Sequence, residues 1–165
     1  MAQVTLGGNP VQTNGELPKP GEACPPMVLI KNDLSELSLQ DLRGKKIILN
    51  IFPSIDTPTC SKSVKIFNQK ASATTNTVIL CISADLPFAQ KRFCGSEGIE
   101  NVMAVSTFRD PSSLDRLGVR LITGKLKDLA ARAVLVLDEE GKVIHTELVS
   151  EIANEPNYES ALSVL

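Results

Sequence analysis

The stretch 45-KKIILNIFPSIDTPTC-60 decides how this chain is read. KKIILNIF (45–52) is a nearly continuous apolar run after two lysines, the pattern of a strand buried on both faces rather than one with a wet side. Beyond Pro53 the period changes. Cys60, Val64, Phe67 and Ala71 fall at i, i+4, i+7 and i+11, a helical stripe, while Lys62, Lys65 and Lys70 fall on other faces. Thr57 suits a helix N-cap, and the fixed φ of Pro58 suits the first helical position. A buried strand therefore runs through a short loop into an amphipathic helix whose first turn contains Cys60.

The pattern continues outward. TVILCIS (77–83) reads as a second buried strand, and Pro87 opens a helix through about Phe93 that Gly95 and Gly98 close. VMAVSTF (102–108) is a third strand. Ser112 caps a short helix, SSLDRL, ended by Gly118. AVLVLD (133–138), a Glu-Glu-Gly turn and KVIHTELV (142–149) form a hairpin, and a terminal helix starts at Asn154 or Glu155. Upstream, QVTLGGNPVQT (3–13) suggests an N-terminal β-hairpin about Gly7-Gly8-Asn9. Residues 14–26 read as a Pro-rich surface loop, MVLI (27–30) as a short strand, and Ser38–Leu42 as a turn or brief helix. Strands alternate with helices in the middle and pair as a hairpin later. The expected fold class is α/β, a mixed central sheet flanked by helices in one domain over residues 1–165.

Composition excludes several classes of function. With 17 Lys plus Arg against 19 Asp plus Glu, the net charge is −2, which lacks the broad positive field that nucleic acid or an anionic membrane needs. No Trp and one Tyr leave no stacking platform for single-stranded nucleic acid. No apolar run approaches a membrane span and no signal peptide opens the chain, so we expect a cytoplasmic, thiol-reducing setting. There, a disulfide among Cys24, Cys60, Cys81 and Cys94 is more readily catalytic than structural.

Cys60 lies where unpaired backbone N–H groups and the positive end of the helix dipole converge. Both favour thiolate over thiol, and the same N–H groups can hold negative charge developing on a substrate oxygen. The alternative is a small core residue on the buried stripe. Cys94, before Gly95 in CGSEG, is either a packing residue at a helix end or a thiol free to move towards another. Cys81, inside VILCIS, reads as inert packing, and Cys24, in the loop, as incidental. Arg132, at the edge of a strand due to be buried, needs an anion, carbonyls or a carboxylate. It serves either a structural ion pair or as a fixed charge on a thiolate.

Other chemistries lack their residues. A zinc site wants short paired ligand spacings, yet the closest cysteines are 81 and 94, and His145 is the only histidine. No C-x-x-C is present for a dithiol oxidoreductase. A Cys–His hydrolase would rest wholly on His145, which reads as a solvated residue on a charged strand. GVRLITGK (118–125) lacks the spacing and the Ser or Thr of a phosphate loop.

PSIDTPTC (53–60) and SADLPFAQKRFC (83–94), with LNIFPSID, STFRD and LAARAVLVLD, resemble the bacterial thiol peroxidase family, a group of atypical two-cysteine peroxiredoxins. The resemblance runs from about residue 3 to the end. It implies a thioredoxin-like fold with an added N-terminal hairpin and reduction of hydrogen peroxide and organic hydroperoxides. It also implies thioredoxin as reductant, a homodimer, and neither metal nor haem. Carried over by position, Cys60 is the peroxidatic nucleophile and Cys94 the resolving thiol, the two forming an intramolecular redox disulfide. Thr57 bonds around Cys60 and the peroxide, Arg132 holds the thiolate and polarises the peroxide, and Pro53 shields the site from water. A peroxide-responsive binding protein would use the same two cysteines; sustained turnover separates it from the enzyme.

Overall fold

In the strand Lys46–Ile51 (β5), Ile47, Leu49 and Ile51 point into one hydrophobic cluster while Ile48 and, just beyond the strand, Phe52 point into another, which is why the run carries no polar alternation. β5 is an interior strand of a sheet built, in this computed structural model of residues 1–165, from seven strands. The others are β3 (Val28–Ile30), β4 (Glu36–Ser38), β6 (Thr77–Ser83), β7 (Met103–Ser106), β8 (Ala133–Leu137) and β9 (Val143–Leu148), in the order β4-β3-β7-β6-β5-β8-β9. β5, β6 and β7 run parallel, whereas β8, β9, β3 and β4 join antiparallel, so the sheet is mixed as expected. β1 (Gln3–Leu6) and β2 (Asn9–Gln12) form the separate N-terminal hairpin.

Helices α1 (Pro58–Ala71), α2 (Pro87–Glu97), α3 (Ser112–Leu117) and α4 (Tyr158–Leu162) flank the sheet, with a 3₁₀ turn at Leu39–Leu42. Val64 and Phe67 of α1 and Ala161 of α4 pack with Ile79, Val134 and Val136 in one cluster, whereas Leu114 and Leu117 of α3 join the larger one. No helix is long and apolar enough to cross a membrane.

Four boundaries differ from the sequence reading. α2 does not yield at Gly95 but runs to Glu97, and Gly98 alone, at φ 65°, supplies the left-handed C-cap. The terminal helix begins at Tyr158 rather than Asn154 or Glu155: Pro156 disfavours helix in the residue before it, and Asn157 caps by accepting from the Ser160 N–H. Ser112 is the first residue of α3, not its cap, and its hydroxyl donates to Asp110. β4 was not visible as a strand, since three residues give no period to read.

Candidate active site

Parallel pairing gathers the ends of β5, β6 and β7 at one edge of the sheet, and the antiparallel β8 begins at the same edge. Because Ile51 pairs with Ala133, Arg132 is carried beside Phe52, just before the chain turns through Pro53 into α1. A residue 72 positions away in sequence thereby faces Cys60: the Arg132 Nη2 lies 3.3 Å from the Cys60 Sγ. Both side chains are buried, Cys60 wholly and Arg132 with 2% of its surface exposed.

Arg132 makes no ion pair. The charge of Glu155 acts on it from a distance, but that carboxylate is engaged by Lys62 and by the Tyr158 hydroxyl. Instead Arg132 Nε donates to the Ile152 carbonyl at 2.8 Å, Nη2 addresses the sulfur, and Nη1 is buried without a partner. A guanidinium taken out of water in this way loses several kcal/mol of solvation per ion unless an anion or acceptor faces it. Of the two roles open in the sequence, the structural ion pair is the one the structure lacks.

Arg132, Pro53, Thr57, Ile152, Leu6 and Leu126 line a cavity of about 200 Å³. Thr57 occupies the N-cap position of α1 and Pro58 the first helical one, as the sequence suggested. The Thr57 hydroxyl does not cap the helix, however; it donates to the Ser54 carbonyl at 3.2 Å. The N–H groups of Thr59 and Cys60 precede the first intrahelical bond and are left without that cap. Arg132, Thr57 and Pro53 thus line one cavity, and the wholly buried Cys60 is joined to it through Arg132.

Cys94 is elsewhere. Half-buried in the last turn of α2, it opens onto a second cavity of about 260 Å³ lined by Lys31, Asn32, Asp33, Ile99 and Met103, none of which lines the first. Burial raises its thiol, and a hydrogen bond with Asn32 partly offsets the rise. No disulfide links any of the four cysteines. Cys81 is buried in β6 and pushed up to about 12 by desolvation, with Asn50 opposing, which fits inert packing. Cys24, read as a loop residue, is partly buried against the larger core cluster and is likewise raised to about 12 by burial, against the pull of Arg43. His145 is not simply solvated: its Nε2 is buried and unpartnered.

Three supporting residues escaped the sequence reading. Asn50 interrupts the apolar run of β5; its Nδ2 donates to the Ser63 hydroxyl at 3.1 Å, and Ser63 donates to the Cys60 carbonyl at 2.7 Å, fixing the first turn of α1 from below. A polar residue inside a buried strand was the available signal. Glu151 accepts from Gly8 N and Thr5 Oγ1 at one oxygen and from Gly7 N and Ala153 N at the other, strapping the N-terminal hairpin to the segment whose Ile152 carbonyl holds Arg132. These bonds lower its carboxyl to about 2, with that from Ala153 the strongest. Asp85 accepts from Ser54 and Ile55 in the loop before Cys60. Nothing in sequence distinguishes these two acids from the other exposed ones.

Residues 19–162 match the Redoxin family. Thiol peroxidases of Mycobacterium tuberculosis and Mycobacterium bovis are 53% identical over 165 residues, covering 100% of this chain and 99% of theirs. The chain belongs to the thiol peroxidase family. Among solved structures, a peroxiredoxin-like protein from Aquifex aeolicus is 38% identical with a TM-score of 0.94, over 99% of this chain and 95% of that one. A thiol peroxidase from Chromobacterium violaceum has a TM-score of 0.91 at 16% identity over 98% of this chain and 94% of its own, a likeness of fold alone. The chain therefore has the thioredoxin-like fold with an added N-terminal hairpin that the resemblance implied.

Proposed function

We propose that this protein is a thiol-dependent peroxidase that reduces hydrogen peroxide and organic hydroperoxides at Cys60, resolves the product with Cys94 and is recycled by thioredoxin. The observation that carries the reading is the fully buried Cys60 sulfur 3.3 Å from Arg132 Nη2, with Nη1 unpartnered at a cavity of about 200 Å³. One arm of the guanidinium stabilises the thiolate while the other is free for a peroxide oxygen. The thiolate attacks the terminal oxygen, an S–O bond forms, the O–O bond breaks, and charge passes to the leaving alkoxide or hydroxide, which takes a proton. Arg132 and the N–H groups of Thr59 and Cys60 meet that charge where it develops. Thr57, held by Ser54, supplies a hydroxyl at the reacting oxygens, and Pro53 keeps bulk water from one wall.

Cys60 is then a sulfenic acid. Cys94 attacks its sulfur, water leaves, and a disulfide within one chain results. The separate cavities support a required rearrangement: the bond needs Cα atoms within about 7 Å and converging Cβ vectors, so the first turn of α1 and the last turn of α2 must open. An external dithiol then reduces the disulfide to two thiols by exchange, itself becoming the disulfide. The reading includes a homodimer, supported by exposed Leu86, Phe88 and Phe108 beyond the neighbouring ends of β6 and β7.

The test is NADPH oxidation coupled through thioredoxin reductase and thioredoxin, with hydrogen peroxide and an alkyl hydroperoxide in parallel. We expect sustained turnover that disappears in Cys60→Ser. A single stoichiometric burst would identify a peroxide-responsive signal protein instead.

A further inference from the structure

Asp85 lies where two elements of the proposed mechanism meet. It follows β6 and precedes Pro87, the first residue of the helix that carries Cys94. Parallel pairing of β5 and β6, extended by the Phe52 N–H to the Ile82 carbonyl at 3.1 Å, sets it beside the loop that leads to Cys60. Its Oδ1 accepts from the Ser54 hydroxyl at 2.7 Å, and its Oδ2 accepts from the Ile55 N–H at 2.7 Å and the Ser83 hydroxyl at 2.5 Å. Its backbone carbonyl accepts from Ser106 of β7. No cation pairs with it.

Ser54 passes this grip on. Its carbonyl accepts from the Thr57 N–H and from the Thr57 hydroxyl, both at 3.2 Å, and its hydroxyl accepts from the Asp56 N–H at 3.2 Å. The Thr57 carbonyl in turn accepts from the Ser61 N–H at 3.0 Å, the first bond of α1. Apart from the apolar packing of Phe93 and Cys94 against the cluster that contains Ile55 and Cys60, the other links between these segments include Arg92 to Asp56 and Lys65 to Glu97, exposed ion pairs at 3.2 Å of a kind that contributes little. A partly buried carboxylate with three aligned donors is the strongest tie between the Cys60 loop and the start of α2.

We propose that Asp85 is a positioning residue that clasps the Cys60 loop to the Cys94 helix, holding the chain in its peroxide-reactive form and resisting the rearrangement that joins the two sulfurs. This rests on the disulfide mechanism above. The clasp keeps Thr57 and the first-turn N–H groups in place for the attack on peroxide. Releasing it makes that attack slower and the later condensation of sulfenic acid with Cys94 easier. The two consequences have opposite signs, which a merely structural acid would not produce.

The test is Asp85→Asn, which keeps the shape but sets an amide N–H₂ where an acceptor is needed, with Ser54→Ala as a milder break. We expect second-order oxidation by peroxide to fall about tenfold in Asp85→Asn and to fall less in Ser54→Ala. The peroxide concentration that half-inactivates the enzyme by over-oxidation should rise in Asp85→Asn, because condensation now outruns a second oxidation. Equal rates and equal over-oxidation in Asp85→Asn and wild type would overturn the proposal, as would both properties worsening together. Amide exchange gives a readout that needs no turnover: segments 54–60 and 87–97 should both exchange faster in Asp85→Asn. Unchanged exchange there would defeat the clasp even in an active enzyme. Faster exchange in a protein that forms no Cys60–Cys94 disulfide would keep the clasp and reject the mechanism.

Discussion

Cys60 and Cys81 are both wholly buried thiols, and their difference lies in what faces them. Cys81 meets strand neighbours and, at 3.7 Å, the amide of Asn50, while Cys60 meets a guanidinium. Burial, with a smaller push from Cys94 and against the Asn50 hydrogen bond, holds Cys81 protonated, pushed up to about 12, far from the neutral pH at which a thiolate would be needed. Cys81→Ser should therefore retain peroxidase turnover, at a stability loss of about 1–2 kcal/mol for a hydroxyl placed in an apolar strand; thermal melts and the coupled assay check both halves. Arg132→Lys keeps the charge but loses the fork. One arm now serves the Ile152 carbonyl and another the sulfur, with a third left over, and a single ammonium on a flexible stem cannot reproduce that fixed geometry. We expect the peroxide rate to fall at least on the order of tenfold and iodoacetamide alkylation of Cys60 at pH 7 to slow. Unchanged alkylation would return Arg132 to a structural role.

At the scale of elements, the N-terminal hairpin is a wall of the site rather than an appendage. Leu6 lines the cavity, and Glu151 ties the hairpin's Gly7 and Gly8 to the segment that orients Arg132. Its carboxyl lies at about 2, below the ordinary 4.5, so the native state prefers the charged form. The stabilisation from Glu151 is therefore complete above about pH 4.5 and is lost as pH falls from there towards 2. In melting experiments wild type should exceed Glu151→Gln at neutral pH, and the gap should close over that window as the native acid becomes as neutral as the amide. A gap equally wide at pH 3 would mean that charge is not what the strap uses. Such ties were not legible in sequence, and the reason is physical. Apolar periodicity reports burial, so β5, β6, β8 and the stripe of α1 could be read directly, and so could the thiol at the helix start. Which exposed acid collects backbone N–H groups depends on loops that meet only after folding. Glycine marks a helix end only where its left-handed conformation is used; Gly98 uses it and Gly95 does not, and so Cys94 lies inside a helix rather than at a frayed end.

For the whole molecule, the order of strands decides which groups meet. With β8 antiparallel beside β5 and β6 parallel on its other side, Arg132 and Asp85 flank the same loop from opposite sides although they are 47 positions apart in sequence. The same topology sets Cys94 at a different cavity from the one that Arg132, Thr57 and Pro53 line, because α2 leaves the edge at Pro87 and runs away from it for about two turns before Cys94. On the proposed mechanism, a fold that sets the peroxide cavity and the resolving thiol at separate places must exchange one arrangement for another during each cycle. Of the two helix ends concerned, the start of α1 has no side-chain cap, whereas the end of α2 is closed by Gly98, and opening it must break the bonds that the Gly98 and Ile99 N–H groups donate to the Cys94 carbonyl. One equivalent of hydrogen peroxide should thus convert the free thiols into a Cys60–Cys94 disulfide within a single chain. On a non-reducing gel the treated protein should run as a monomer of 17.8 kDa, and peptide mapping should find that linkage alone. Far-UV circular dichroism should lose helical signal, and reduction should restore it. Amides near Cys60 and Cys94 should exchange faster than those of β5 and β6 even in the reduced protein, since the segments that open are drawn from the least stable part of the fold. A thiol-reversible band at twice the mass that disappears in Cys94→Ser would mean instead that the second sulfur comes from another copy, and that the separation seen within one chain is never closed.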